Sequence, residues 1–340
     1  MLRVFLAHTP EMRANYYGDR ALAALRQVAE VVTHEGTATL SGAALAEAAA
    51  GCQAIVADRA TPGTAETFAA APDLVAFLRV AVDVSTIDIP AASRAGVLVT
   101  QATPGFVDSV AELAIGMMVD LARGVSGFAA DFHAGRVPVP RMGRQLAGRT
   151  LGLIGYGRIA QRVAQIAAAM RMRVLAHDPH AVIEGAEAVT LDRLLAESDV
   201  VMPLAVANES TRHIVNAGTL GAMKRGVLLV NLSRGQLVDE AALAAALDSG
   251  QVAAAAMDVG SAPDQWPHPA LAARPDVVAT PHIGGLTPEA AEHQAMDTVR
   301  QVAALAAARA PDGALNPEAA TRLARLGINQ TGSPEAAPAR

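Results

Sequence analysis

The sequence holds a single cysteine, Cys52, in 340 residues. That excludes an internal disulfide framework and fits a reducing compartment. Cys52 lies in the apolar run Cys52-Gln53-Ala54-Ile55-Val56 and reads as a packed core thiol, not a nucleophile. Aromatic residues make up only 3% of the chain, so packing is expected to rest on Ala, Val, Leu and Ile. No block of Lys and Arg is interleaved with aromatics, and the formal net charge is −6; nucleic acid is not an expected partner. Nor is a membrane, because Asp, Arg or Gln breaks every Ala-rich stretch before it reaches the length of a span. The opening MLRVFLAHTPEM turns polar too soon for a secretory signal. The expected compartment is the cytoplasm.

What the chain has in quantity is apolar surface: 52% hydrophobic residues against 18% charged. Its length exceeds the usual single domain, so two domains are expected. Over the first hundred residues, short β-branched runs at 2–7, 31–32, 54–57, 75–82 and 97–100 alternate with helical patterns at 20–29, 43–50, 65–71 and 91–94. Strands alternating with helices imply a parallel, doubly wound sheet. Ala102-Thr103-Pro104-Gly105 breaks the pattern, and a helix with one apolar face is expected over 110–123. Residues 124–148, with Gly135, Pro138, Pro140 and Gly143, read as an irregular connecting arm, a candidate for packing on another subunit. A second alternating series then predicts strands at 150–154, 173–177, 200–202, 227–232, 253–257 and 277–279. Helices are expected after Gly157, Asp192, Ala217, Asp239 and Pro269, and a long helix over 288–309. The polar end of the chain, 326–340, is expected to be disordered.

The clearest motif is Thr150-Leu-Gly-Leu-Ile-Gly155-Tyr-Gly157-Arg-Ile-Ala160, a strand followed by G-x-G-x-x-A and a helical run. Gly155 permits the tight turn, and Gly157 lets backbone amides approach a pyrophosphate at the helix N-terminus. Ala160 is small enough for close helix–strand packing. Asp178 closes the next strand, 21 residues beyond Gly157, where an acid receives a ribose hydroxyl. Its charge would repel a 2′-phosphate, so NAD is the expected cofactor and NADP is disfavoured. No metal site is expected.

Three further polar residues fall just beyond apolar strands of the same series: Arg234 after 227–232, Asp258 after 253–257, and His282 after 277–279 through Thr280-Pro281. Ligands of an open parallel sheet bind outside the carboxyl ends of its strands. Reduction of a 2-oxo acid needs a fixed cation to hold the carboxylate and polarise the carbonyl, which Arg does bidentately. It also needs a proton donor poised near neutrality, which His supplies. Singly each residue has a plain reading as a surface charge or a turn; together, behind a nucleotide motif, they form a coherent site.

With these residues in place, the sequence resembles the D-isomer-specific 2-hydroxyacid dehydrogenase family, which includes phosphoglycerate, glyoxylate, lactate, formate and phosphite dehydrogenases. The resemblance runs to about residue 318. It is carried by residues 150–160, Asn231-Leu-Ser-Arg234-Gly-Gln-Leu-Val-Asp-Glu240, Met257-Asp258-Val259, Thr280-Pro-His282-Ile-Gly-Gly285 and Ser109-Val-Ala-Glu112. It implies an α/β fold of two doubly wound parallel-sheet domains. A Rossmann nucleotide domain, 102–285, is inserted into a flavodoxin-like substrate domain made of 1–101 and 286–325, with the active site in the cleft between them. It implies that Arg234 binds substrate, that His282 is the acid/base and that Asp258 meets the nicotinamide amide. Arg158, Ile159, Asp178, Ser233 and Gly284 would complete the cofactor site with the two glycines. It implies D stereochemistry at a CH–OH donor and a homodimer joined through the nucleotide domains.

The pattern breaks in three places. The family's catalytic Glu lies in D-V-F-x-x-E-P, but here the segment is Asp258-Val-Gly-Ser-Ala-Pro263-Asp264, with proline at the Glu position. Asp264 is the candidate replacement, able to raise the His282 pKa if it stands beside the ring; otherwise it is a loop-end charge. The substrate-carboxylate loop, usually glycine-rich, reads Arg79-Val-Ala81-Val82-Asp83, and Arg59 is the partner of Asp83, itself a substrate ligand, or an ordinary surface arginine. A His and a Pro common in the family around Leu204 and Val206 are missing. A dehydrogenase is the leading reading. The alternatives are a protein that senses NAD with little turnover, or a dehydrogenase of an unusual small anion.

Overall fold

The structure, a computed structural model, describes residues 1–328. The chain divides into two compact units, Met1–Gly105 together with the segment from Pro288 onward, and Phe106–Thr287.

In the first unit β1 (Arg3–Leu6), β2 (Glu30–Thr33), β3 (Ala54–Ala57), β4 (Ala76–Arg79) and β5 (Leu98–Thr100) form one parallel sheet in the order β2-β1-β3-β4-β5. This is the doubly wound order whose switch point lies between β1 and β3. The period-two alternation of the strands decides which layer each residue joins. Val4, Leu6, Val56, Leu78 and Leu98 pack with Leu25, Val299 and Val302 from the helices Asp19–Val28 and Pro288–Ala306. Phe5, Ile55, Phe77 and Val99 pack on the other face with Leu45, Phe68 and Cys52. Cys52 is a buried free thiol, and burial pushes its pKa up, which keeps it inert.

In the second unit the sheet has seven parallel strands. They are β6 (Thr150–Ile154), β7 (Arg173–His177), β8 (Glu187–Ala188), β9 (Val200–Pro203), β10 (Val227–Asn231), β11 (Val252–Met257) and β12 (Val277–Ala279), in the order β12-β11-β10-β9-β6-β7-β8. The helices Val107–Arg123 and Arg158–Ala169 cover one face. The helices Leu191–Glu197, Ala217–Ala222 and Glu240–Asp248 cover the other.

Several local expectations need correction. The helix Pro10–Tyr16 was not anticipated, although Thr9 caps it through Met12 N–H and Pro10 occupies its first turn. The arm expected to be irregular contains the helix Val125–His133, split from the preceding one by Gly124 in the left-handed region at φ 69°. The strand expected over 75–82 stops at Arg79. Scarce as aromatics are, Phe5, Phe68, Phe77, Tyr17 and Tyr156 all lie in the core. Ile328 is buried among the first unit's apolar residues, so 326–328 belong to the fold; the remainder of the expected tail, 329–340, lies outside the described residues. Among the described residues no single helix is long and apolar enough to cross a membrane. The pair Val107–Arg123 and Val125–His133 has the composition for one but bends by 73°, and its first helix buries Val110, Ala114, Met117 and Met118 in protein.

The carboxyl edge of the first sheet carries an unusual polar group. His8, one residue past β1 and its neighbour Ala7, is fully buried, packs edge-on to Tyr17 at 5.2 Å, and has no partner for either ring nitrogen among the described residues. Asp58, after β3, is spent on the N–H groups of Ala60 and Thr61 and the Thr61 hydroxyl. Arg79, at the end of β4, donates to the Asp58 carbonyl and to Thr86 Oγ1. Burial drives the His8 pKa down from 6.5 to about 4; the Asp58 charge opposes that and those of Arg13 and Arg79 add to it. The unfolded chain therefore takes up a proton between pH 6.5 and 4 that the fold excludes. The stability this contributes is complete above pH 6.5 and is lost as pH falls toward 4. Replacing His8 by Leu is expected to recover roughly 2–3 kcal/mol of the acid destabilisation between pH 7 and 4.5. Denaturant melts at the two pH values measure it, and an unchanged difference would contradict it.

Candidate active site

The glycine turn is built by steric necessity. Gly155 has φ 92°, and a Cβ there would stand 2.5 Å from the backbone nitrogen of Ala205, so no other residue fits without moving backbone. Gly157 caps the helix Arg158–Ala169 without a side-chain bond, and the space where its Cβ would lie is open to 4 Å. The helix thus presents its first N–H groups to an open approach, as an anion requires. Arg158 is exposed at the first helical position and Ile159 is half-buried behind it. Asp178 closes β7 and is tied to this turn. Its Oδ2 accepts the Tyr156 N–H at 2.8 Å, and its Oδ1 accepts those of His180 and Ala181 at 2.8 and 3.1 Å. Burial raises the Asp178 pKa, but these three backbone donors and the His180 charge outweigh it and hold the carboxyl below its ordinary value.

Three neighbouring strand ends carry the other candidates. At the end of β10, buried Asn231 accepts the Ser233 N–H and donates to the Arg234 carbonyl, both at 3.1 Å. Ser233 donates its hydroxyl to the Ala205 carbonyl at 3.2 Å. Arg234 is exposed; it donates to the Ser233 carbonyl at 2.8 Å and has no carboxylate partner among the described residues. Gly235 follows because a Cβ there would run into the Gly260 carbonyl. At the end of β11, Asp258 is 0% exposed. Its Oδ1 accepts the Thr280 hydroxyl at 2.6 Å and the Ile283 N–H at 2.8 Å, and its Oδ2 accepts the Gly284 N–H at 2.8 Å. Its own N–H donates to the Asn231 carbonyl at 3.0 Å, and its carbonyl accepts the His282 N–H at 2.9 Å. At the end of β12, His282 is half-buried with φ 57°, a left-handed conformation that costs a non-glycine residue about 1–2 kcal/mol. The bonds from Asp258 hold it there. The expectation for Asp258 was a ligand of the nicotinamide amide; most of its bonding capacity instead goes into the turn that carries His282. The Gly284 N–H is likewise taken by Asp258.

Asp264 needs a correction. It is exposed, and no hydrogen bond or ion pair joins the ring of His282 to it or to another described residue. The reason lies in the loop: Pro263 is followed by two left-handed residues, Asp264 at φ 61° and Gln265 at φ 59°. Glu240 hooks the loop further back, at the Ser261 N–H and hydroxyl.

In the first unit Arg59 meets Asp83, Nε to Oδ2 at 3.4 Å, as an exposed ion pair, the first of the roles open to it. Ala81 gives its carbonyl to the Ala102 N–H. The N–H groups of buried Ala81 and half-buried Val82 have no acceptor among the described residues.

The family model for the D-isomer specific 2-hydroxyacid dehydrogenase NAD binding domain matches residues 115–284. The chain is 36% identical over 253 residues to the hydroxypyruvate reductase of Thermotoga maritima, covering 73% of this chain and 83% of that one. The chain belongs to the D-isomer specific 2-hydroxyacid dehydrogenases. It is 39% identical over 244 residues to the D-3-phosphoglycerate dehydrogenase of Archaeoglobus fulgidus, covering 70% of this chain but only 46% of that longer one. The NAD-complexed D-isomer specific 2-hydroxyacid dehydrogenase of Lactobacillus delbrueckii ssp. bulgaricus shares the fold. Its TM-score is 0.80 over 93% of this chain and 100% of that one, at 23% identity. The protein is therefore an NAD-dependent oxidoreductase of small 2-hydroxy or 2-oxo acids, with a Rossmann domain.

The residues present fit the dinucleotide: the open cradle at Gly157 suits a pyrophosphate, and the Asp178 carboxylate beside the turn suits a ribose diol. With its charge held below the usual carboxylate range, Asp178 also repels a 2′-phosphate. NADH is expected to bind more tightly than NADPH, and Asp178→Asn, which keeps an acceptor for the turn, is expected to narrow the gap at least about tenfold. Fluorescence titration with both cofactors measures this; equal wild-type affinities would contradict it.

Proposed function

We propose that this dehydrogenase reduces a small 2-oxo acid to its D-2-hydroxy acid, with Arg234 holding the substrate carboxylate and His282 donating the proton. The observation that carries the reading is the convergence of β10, β11 and β12, whose ends bear Arg234, Asp258 and His282 within one hydrogen-bonded network. Bound NADH supplies the hydride to the carbonyl carbon. The Arg234 guanidinium spends one of its five N–H donors on Ser233, which leaves a fork free to grip a carboxylate in two parallel bonds. The same cation draws charge toward the carbonyl oxygen as it develops. The His282 ring, free of side-chain partners, donates its proton to that oxygen.

Asp264 is given no part in this scheme, since no hydrogen bond or ion pair joins it to His282 among the described residues. Arg59 acts as the counter-ion of Asp83, and the free N–H groups of Ala81 and Val82 are the groups we assign to substrate in the first unit. Domain roles follow: the second unit binds NAD through Gly155, Gly157, Arg158, Ile159 and Asp178, with Ser233 at the nicotinamide end, beside the turn that Asp258 and Gly284 hold in place. Hydroxypyruvate is the first substrate to test, because a relative covering most of this chain is named for it. The sensing alternative gains no support, as the relatives above are enzymes by name.

The partner we infer is a second copy of the chain. Val125, Phe132, Val137, Val139 and Met142 are exposed in one segment of the second unit, Val137 at 88% and Met142 at 100%, an apolar display that a homodimer would cover. A cytoplasmic site is consistent with a single buried thiol. Neither nucleic acid nor membrane is assigned.

Arg234→Ala is expected to raise KM strongly and to slow turnover as well. His282→Ala is expected to lower kcat by about 10²–10⁴-fold. NADH binding is expected to survive both, because the glycine turn and Asp178 serve the other end of the dinucleotide. Steady-state rates and NADH titration of the variants check this, and wild-type rates in both would overturn the assignment.

A further inference from the structure

The amino edge of the second sheet, away from the proposed catalytic residues, carries a cavity of about 240 Å³ where β6, β9 and β10 begin. Four cations line it, Arg144, Arg149, Lys224 and Arg225, against one carboxylate, Asp199. In a chain of net charge −6 this is a local excess of three positive charges. Asp199 does not neutralise it. Its Oδ2 accepts the Thr150 N–H at 2.9 Å, and its Oδ1 serves Lys224 Nζ at 3.2 Å and Arg149 Nη1 at 3.9 Å. Among the described residues Arg144 and Arg225 have only neutral partners, the carbonyls of Gly226 and Ser249. Each guanidinium has five N–H donors, so most of their capacity is unspent. Since β10 runs five residues from Val227 to Asn231, the cavity lies about 16 Å from the Arg234 end of the same strand.

We propose that this cavity is a second, non-catalytic site for a small phosphorylated metabolite, bound through its phosphate or diphosphate group. Two unpaired guanidinium forks beside an ammonium and a third guanidinium are the donor set that phosphate oxygens require. A volume of about 240 Å³ suits a small molecule. Arg144 belongs to the segment between the helix Val125–His133 and β6, so a bound phosphate ties that segment to the start of β10 at Arg225. The site owes nothing to the dinucleotide cradle, which lies at the carboxyl ends of the strands.

The test uses the full chain saturated with NADH, so that the cradle at Gly157 is filled, and inorganic pyrophosphate as the probe. Calorimetric titration is run against sodium chloride and sodium sulfate at matched ionic strength. One saturable site per chain is expected for pyrophosphate. Arg144→Gln with Arg225→Gln is expected to weaken it at least tenfold, and Arg225→Gln by itself several-fold, with NADH-dependent turnover unchanged in the absence of pyrophosphate. Absence of saturable binding overturns the proposal, as does equal affinity in the variants or an equal response to sulfate. Sedimentation decides the remaining case: if the double variant loses its oligomer while pyrophosphate still binds as before, the cations serve an interface with a second copy and the proposal falls.

Discussion

One buried carboxylate organises the working edge of the second sheet. Asp258 is 0% exposed and has no cation in an ion pair with it among the described residues; its carboxylate accepts from the Thr280 hydroxyl and the N–H groups of Ile283 and Gly284. Each hydrogen bond to a charged acceptor contributes about 1.5–3 kcal/mol, and the set together offsets both the desolvation of the carboxylate and the left-handed backbone of His282. Through its main chain the same residue joins the end of β10 at Asn231 to the turn after β12 at His282. Register, turn and side-chain placement around the three strand ends are therefore one coupled structure.

Two close approaches complete that edge. Gly235 lets the turn after Arg234 press against Gly260 of the loop following β11, and Gly155 lets the dinucleotide turn press against Ala205. Ser233 reaches the same Ala205 carbonyl, so the strand carrying Arg234 and the turn at Gly155 share one neighbour in the chain after β9. The position of the proposed substrate cation and that of the pyrophosphate cradle are in this way set by the same stretch of backbone. In the second unit the buried side chains of Asn231 and Asp258 are both hydrogen-bonded. The first does the opposite with His8, whose ring nitrogens are left without partners among the described residues at the switch point of its sheet, and it carries the acid sensitivity that follows.

Much of this was legible in the residues. The strands over 54–57, 150–154, 173–177 and 277–279 follow from apolar runs bounded by glycine, proline or acids. The glycine turn could be read because its requirement is local, a φ only glycine adopts and a gap only glycine leaves. That Arg234, Asp258 and His282 share one sheet edge could be read because parallel strands present their carboxyl ends on the same side. The role of Asp258 could not be read so far: it depends on β10, β11 and β12 lying side by side, an order no local pattern contains. Asp264 misled because its spacing matched the family's acid to within one residue. Pro263 and two left-handed residues re-aim the chain, and sequence distance says nothing about that. The helix Val125–His133 was hidden by Gly124, which reads as a breaker but here only redirects the chain from one helix to the next.

The measurement that bears most directly on this account is the turnover of Asp258→Asn with NADH and the best 2-oxo acid, beside its NADH affinity. Asparagine keeps the volume but offers one acceptor oxygen and turns an N–H₂ toward donors, so the turn after β12 loses its anchor. The account predicts a fall in kcat of at least about tenfold, with NADH still bound through the glycine turn. Wild-type turnover in this variant would contradict the claim that the buried carboxylate sets the catalytic geometry.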